Sequence, residues 1–113
     1  MRDTLYVLRP GFTDQGERWF CPYSAQVIGM LAYYPQLRAT LDVVELDFAK
    51  PREPVATMLG EAHQALPVLV LGEGSPVAAA GVHVEAAGER RFVSKTIEIL
   101  RYLAVTRGLP GPH

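Results

Sequence analysis

The chain has 113 residues, 49% hydrophobic and 20% charged, with 11 Lys plus Arg against 12 Asp plus Glu and a formal charge of -1. That length fits one domain spanning residues 1–113, large enough to bury about two thirds of its unfolded surface without a disulfide framework or structural metal. The balanced charge lacks the footprint of a general nucleic-acid binder, and no run reaches the roughly 20 apolar residues of a membrane span.

The apolar stretch within Met1–Pro10 is too short for a signal peptide, so the expected compartment is the cytoplasm, where a lone thiol stays reduced. Thr4–Leu8 reads as a buried strand closed by Arg9-Pro10-Gly11, and Gly11–Phe20 as a polar loop. Pro22 suits the first position of a helix, where its missing N–H is no loss. In that helix Ala25, Val27, Ile28, Leu31 and Ala32 form the apolar arc, and it ends near Pro35.

Val43–Phe48 is a second strand, followed by a stiff connector through Pro51 and Pro54. Pro54 opens a second helix running towards His63, weakened by Gly60. Pro67–Leu71 is the strongest strand signal, a continuous apolar run. Val82–Glu85 and Arg91–Val93 are candidate hairpin strands around Gly88. Ser94 is positioned to cap the last helix, whose core stripe is Ile97, Leu100, Leu103 and Ala104, with Lys95, Glu98 and Arg101 solvated and Gly108 as the stop. Alternating strands and helices followed by a hairpin describe an α/β sandwich with a mixed sheet that begins with a parallel crossover.

The chemistry concentrates at Cys21-Pro22-Tyr23-Ser24. A cysteine at a helix start meets amide N–H groups without intrahelical partners, and both they and the helix dipole favour a thiolate over a thiol. Ser24 is spaced to return its hydroxyl to the sulfur as a donor. A single cysteine excludes an intramolecular dithiol cycle. His63 and His83 share no ligand spacing with Cys21, so no metal site is supported.

Cys21-Pro22-Tyr23-Ser24 resembles the glutaredoxin active-site tetrapeptide of the thioredoxin-like superfamily, with its second cysteine replaced by serine. Leu66-Pro67-Val68-Leu69-Val70 resembles the cis-proline segment that opens the third strand of such proteins, and Phe92–Ala104 is similar to the end of the glutathione-binding domain of glutathione transferases. The whole chain also resembles a bacterial family of small thioredoxin-like proteins with no assigned activity. The resemblance implies a thioredoxin-like sandwich with a four-stranded mixed sheet and helices on both faces. It further implies a monothiol thiol–disulfide oxidoreductase with Cys21 as nucleophile and Ser24 stabilising the thiolate.

Tyr23, Leu66, Pro67 and Thr96 would then hold the substrate, a small thiol or a protein mixed disulfide. Arg90 and Arg91 are near enough in sequence to hold a carboxylate. Glutathione would be a cosubstrate, with no resident cofactor. Lys95 departs from the pattern, standing where related sites place an acid. The alternative from a different class is a non-catalytic thioredoxin-like module that binds a partner or forms a homodimer, with Cys21 a relic.

Overall fold

In the computed structural model, which describes residues 1–113, Thr4–Leu8 forms β1 and is buried at all five positions. Successive side chains of a strand point to opposite faces, so β1 feeds two cores: Leu5 and Val7 enter one, Tyr6 and Leu8 the other. The elements that follow are β2 (Phe12–Asp14), β3 (Glu17–Trp19), α1 (Pro22–Tyr33), a 3-10 turn at Pro35–Ala39, β4 (Asp42–Leu46), α2 (Val55–Leu59), β5 (Val68–Val70), β6 (Glu85–Ala87), β7 (Arg90–Val93) and α3 (Thr96–Arg107).

The molecule is a mixed α/β structure whose main sheet has the order β4-β1-β5-β7-β6. β4 runs parallel to β1, with Thr4 opposite Asp42 and Leu8 opposite Leu46, as a strand joined through a helical crossover must. The remaining pairs are antiparallel. The sheet has five strands rather than the expected four. The extra edge is β6, which pairs Ala87 with Arg90 across the Gly88-Glu89 turn, where Gly88 takes a φ of 59°. Val82–Val84, expected as part of that strand, makes only an isolated bridge between Ala79 and Val82.

α1 and α3 cover the face of Leu5, Val7, Leu69, Leu71 and Val93, while α2 covers that of Tyr6, Leu8, Val68, Val70 and Phe92. α1 buries Ser24, Val27, Met30 and Leu31 and exposes Ala25 and Ala32, a rotation of the expected arc. α3 buries Ile99, Tyr102, Leu103 and Ala104, leaving Ile97 43% exposed, so that expected core position is corrected. Ser94 does not cap α3. Lys95 occupies the cap position without a side-chain bond, and the Ser94 hydroxyl donates to Glu85 instead.

Gly60, at φ 96°, ends α2 well before His63. The expected loop 11–20 is a second hairpin, β2 with β3, joined by Gln15 and Gly16 in the left-handed region at φ 52° and 79°. A tertiary contact anchors it: the Phe12 ring stacks on Phe48 with centroids 4.5 Å apart. No helix is long and apolar enough to cross a membrane.

Candidate active site

Cys21 follows β3 and is the N-cap of α1, its backbone extended at φ -82° and ψ 115°. This conformation turns its side chain back over the first turn, where Sγ accepts the Ser24 N–H at 3.3 Å. The sulfur is half-buried, and it packs against the apolar core under α2. A long contact of 4.0 Å runs from Sγ to the Leu66 carbonyl oxygen. One neighbour thus supplies a donor to the sulfur and the other an acceptor for its S–H. The first favours the thiolate, the second the thiol.

Ser24 reaches the sulfur through its backbone. Its hydroxyl is turned towards the sheet and accepts the Leu8 N–H at 3.1 Å, which corrects the expected hydroxyl contact. The physical reason is burial. Ser24 is only 4% exposed, and a buried backbone N–H at the end of β1 requires a partner.

Leu66 and Pro67 lead into β5, both buried and joined by a cis peptide bond. They form one wall of a depression of about 470 Å³, completed by Tyr23 from α1 and by Lys95, Thr96 and Ile97 at the start of α3. Tyr23, Leu66, Pro67 and Thr96, from three separated segments, therefore share one concavity. Cys21 lines a neighbouring depression of about 500 Å³ with Leu8, Phe20 and Ile28, where Arg38 and Glu45 supply the charges. Around the thiol, Trp19, Phe20 and Tyr23 are 49%, 63% and 58% exposed.

Lys95 Nζ lies 3.9 Å from Glu98 and remains largely exposed. Arg90 and Arg91 do not join these depressions. They line a different one with Met1 and Glu73, and Arg91 donates to the Gly88 and Arg90 carbonyls.

Sequence reasoning passed over Arg52, which lies in the connector before α2. Its Nε donates to the Phe48 carbonyl at 2.9 Å and its Nη1 to the Gln64 carbonyl at 3.0 Å, while its own N–H reaches Gln64 Oε1 at 2.7 Å. The guanidinium carbon stands 5.2 Å from the centroid of the Phe48 ring. Burial lowers its pKa, and the charge of Cys21 pulls it back up. Nothing in Pro51-Arg52-Glu53 signals this placement, since it depends on the fold returning Gln64 to the connector.

A second polar cluster lies near the opposite end of β1. Asp3 pairs with Arg107 at 3.0 Å and accepts the Gly72 N–H at 2.8 Å and the Ser75 hydroxyl. Nearby, the Tyr102 hydroxyl donates to the Pro76 carbonyl at 2.7 Å. Burial first, and the Asp3 charge second, push the Tyr102 pKa up to about 12. This cluster joins β1, the loop after β5 and α3, and none of its buried side-chain polar atoms lacks a hydrogen-bond partner.

Among protein families, residues 2–111 match one described as a protein of unknown function (DUF3088). Comparison with curated proteins and with solved structures finds no match.

Proposed function

The chain belongs to the DUF3088 family of proteins of unknown function, and from its site we propose a thioredoxin-like, glutaredoxin-like monothiol oxidoreductase acting on thiols and disulfides. The observation that carries this reading is Cys21 at the start of α1, half-exposed, with Sγ on a backbone donor and beside Leu66. The order of β1, α1, β4, α2, β5, β7 and α3, with β6 as an added edge, also supports the thioredoxin-like assignment.

The Cys21 thiolate attacks one sulfur of a mixed disulfide along the S–S axis. The Cys21–S bond forms as the old disulfide breaks, and the departing thiolate takes a proton from solvent. A second thiol, with glutathione as the class considered, gives its proton to solvent and attacks the outer sulfur of the capped Cys21 as a thiolate. It leaves as a new disulfide and restores the thiolate. The number of S–S bonds is conserved: one sulfur of the original disulfide leaves reduced as a thiol, the sulfur of the incoming thiol is oxidised in its place, and the protein ends unchanged.

The depression beside Leu66 holds the substrate backbone, and the Thr96 end of α3 favours an anionic group. Lys95 at that end repels a ligand ammonium. The exposed Trp19, Phe20 and Tyr23 favour a second reading, in which the same surface docks a partner or a second copy without chemistry.

Alkylation by neutral iodoacetamide separates the two. The redox reading expects a Cys21 rate at about pH 6.5 within roughly threefold of that at about pH 8.5, and a glutathione adduct by mass after exposure to oxidised glutathione. A rate that rises by about thirtyfold or more across that interval, as for an unperturbed thiol, with no adduct, supports the docking module and overturns the redox reading.

A further inference from the structure

We propose that the thiol captured by Cys21 is an apolar one, an uncharged alkyl or aromatic thiol whose body lies in the depression between α1 and β4. The inference rests on the monothiol reading and names the substrate class of that site.

Two depressions adjoin the start of α1, and their chemistry differs. The one beside Leu66 and Pro67 is headed by Lys95 and Thr96, and Cys21 is not among its walls. The one between α1 and β4, of about 500 Å³, contains Cys21 itself. A mixed disulfide holds the captured group one S–S bond, about 2 Å, from Sγ. That group therefore occupies the depression that Cys21 lines.

Leu8 at the end of β1, Phe20 before the cysteine, Ile28 on α1 and Val43 on β4 make its walls apolar. β4 is the outermost strand, so no further strand closes the depression on that side. Its volume falls in the range of about 300 to 1,000 Å³ that small-molecule sites occupy. Arg38 and Glu45, the charged residues lining it, oppose each other in sign and are exposed to solvent screening. A glutathionyl group would bring two carboxylates and an ammonium against these walls, at a desolvation cost that an alkyl chain does not incur. Glutathione keeps the role of the second thiol, which clears the cap.

Ser24 adds one polar point to the same wall. It is 4% exposed, its hydroxyl accepts the Leu8 N–H at 3.1 Å, and its own proton goes to no protein atom. This buried donor is left for a single acceptor atom on the ligand. In the exchange the bond from Sγ to the ligand sulfur forms as the S–S bond of the apolar disulfide breaks, and the released thiolate takes a proton from solvent.

The test is the rate of Cys21 modification in the full chain at about pH 6.5 by four methanethiosulfonates: ethyl, n-butyl, anionic sulfonatoethyl and cationic trimethylammonioethyl. In each, Cys21 takes the alkylthio group and methanesulfinate leaves. Each rate is divided by that of the urea-unfolded chain with the same reagent, so the ratios between reagents are independent of how much thiolate is present. The n-butyl reagent is expected to exceed both charged ones by about tenfold and ethyl by about four- to tenfold, each buried CH₂ contributing up to about fourfold. Ala25→Glu and Phe20→Gln alter exposed residues of the wall. The first should cut the n-butyl preference over the cationic reagent below threefold, and the second should halve the n-butyl preference or more.

Equal normalised rates for all four reagents, or a faster anionic one, in a protein that is reactive at about pH 6.5 overturn the apolar class and leave the redox reading standing. An n-butyl preference that survives unchanged in both folded variants also overturns the proposal, since the chain then lies elsewhere. A wild type unreactive with every reagent at that pH overturns the redox reading itself, and this inference with it.

Discussion

Ser24 divides its work between two atoms, with its N–H on Cys21 Sγ and its hydroxyl on the Leu8 N–H. Removing the hydroxyl should therefore affect the fold and spare the thiol. Ser24→Ala leaves a buried donor unpaired at the end of β1, a loss of about 1 to 3 kcal/mol in a urea unfolding measurement. Its alkylation rate at neutral pH should match wild type, because the backbone donor survives. A slowed rate in a folded Ser24→Ala protein would show that the hydroxyl does reach the sulfur.

Cys21 was marked by its own chemistry, a thiol before Pro22 at a helix start, whereas Leu66 and Thr96 entered as substrate contacts only through the resemblance to thioredoxin-like proteins. Arg52 carries no such mark. Its partners are the carbonyls of Phe48 and Gln64, and backbone acceptors leave no trace in residue type.

At the scale of elements, the segments that satisfy themselves locally were the readable ones. β1, β5 and α1 announce themselves through apolar runs and a proline start. The β2–β3 hairpin hid inside a polar stretch, since its strands are three residues each and largely exposed. It is held by the Gln15-Gly16 turn and by Phe12 stacked on Phe48, a partner in another part of the chain.

Gly72 shows the same dependence on distant contacts. A Cβ there would stand 2.3 Å from the Met1 carbonyl oxygen and 2.6 Å from the Arg2 carbonyl carbon. Backbone cannot yield as a side chain does, so the start of β1 would have to move away from the loop after β5. Gly72→Ala is expected to lower stability by about 1 to 3 kcal/mol in thermal or urea unfolding. Gly74→Ala provides the contrast, because no atom crowds that position and any loss there comes from its φ of 81°.

Across the whole molecule the two ends of β1 serve different purposes. The Leu8 end carries the thiol site through Ser24, and the Asp3 end is a polar lock on Arg107, Gly72 and Ser75. Tyr102 beside that lock has its pKa raised to about 12 from an ordinary 10.0. Below the unfolded value both states hold the phenolic proton and the stability is fully present. Between about pH 10 and 12 the unfolded chain loses that proton while the folded one keeps it, so stability falls by roughly 2 to 3 kcal/mol as pH rises. Urea unfolding across that interval should show the fall, and Tyr102→Phe should flatten it. An unchanged slope in Tyr102→Phe would place the alkaline loss on other groups.

Taken alone, the amino-acid order determined a mixed α/β chain, the parallel pairing implied by its first crossover, and one thiol at the head of a helix. Each of these follows from periodicity, length and a few residues with restricted backbones. The tertiary structure alone decided the β2–β3 hairpin, the short α2, the direction of the Ser24 hydroxyl and the carbonyls that hold Arg52. Those outcomes depend on buried donors finding acceptors and on rings finding partners many residues away, and such pairings are chosen only when the whole chain closes around them.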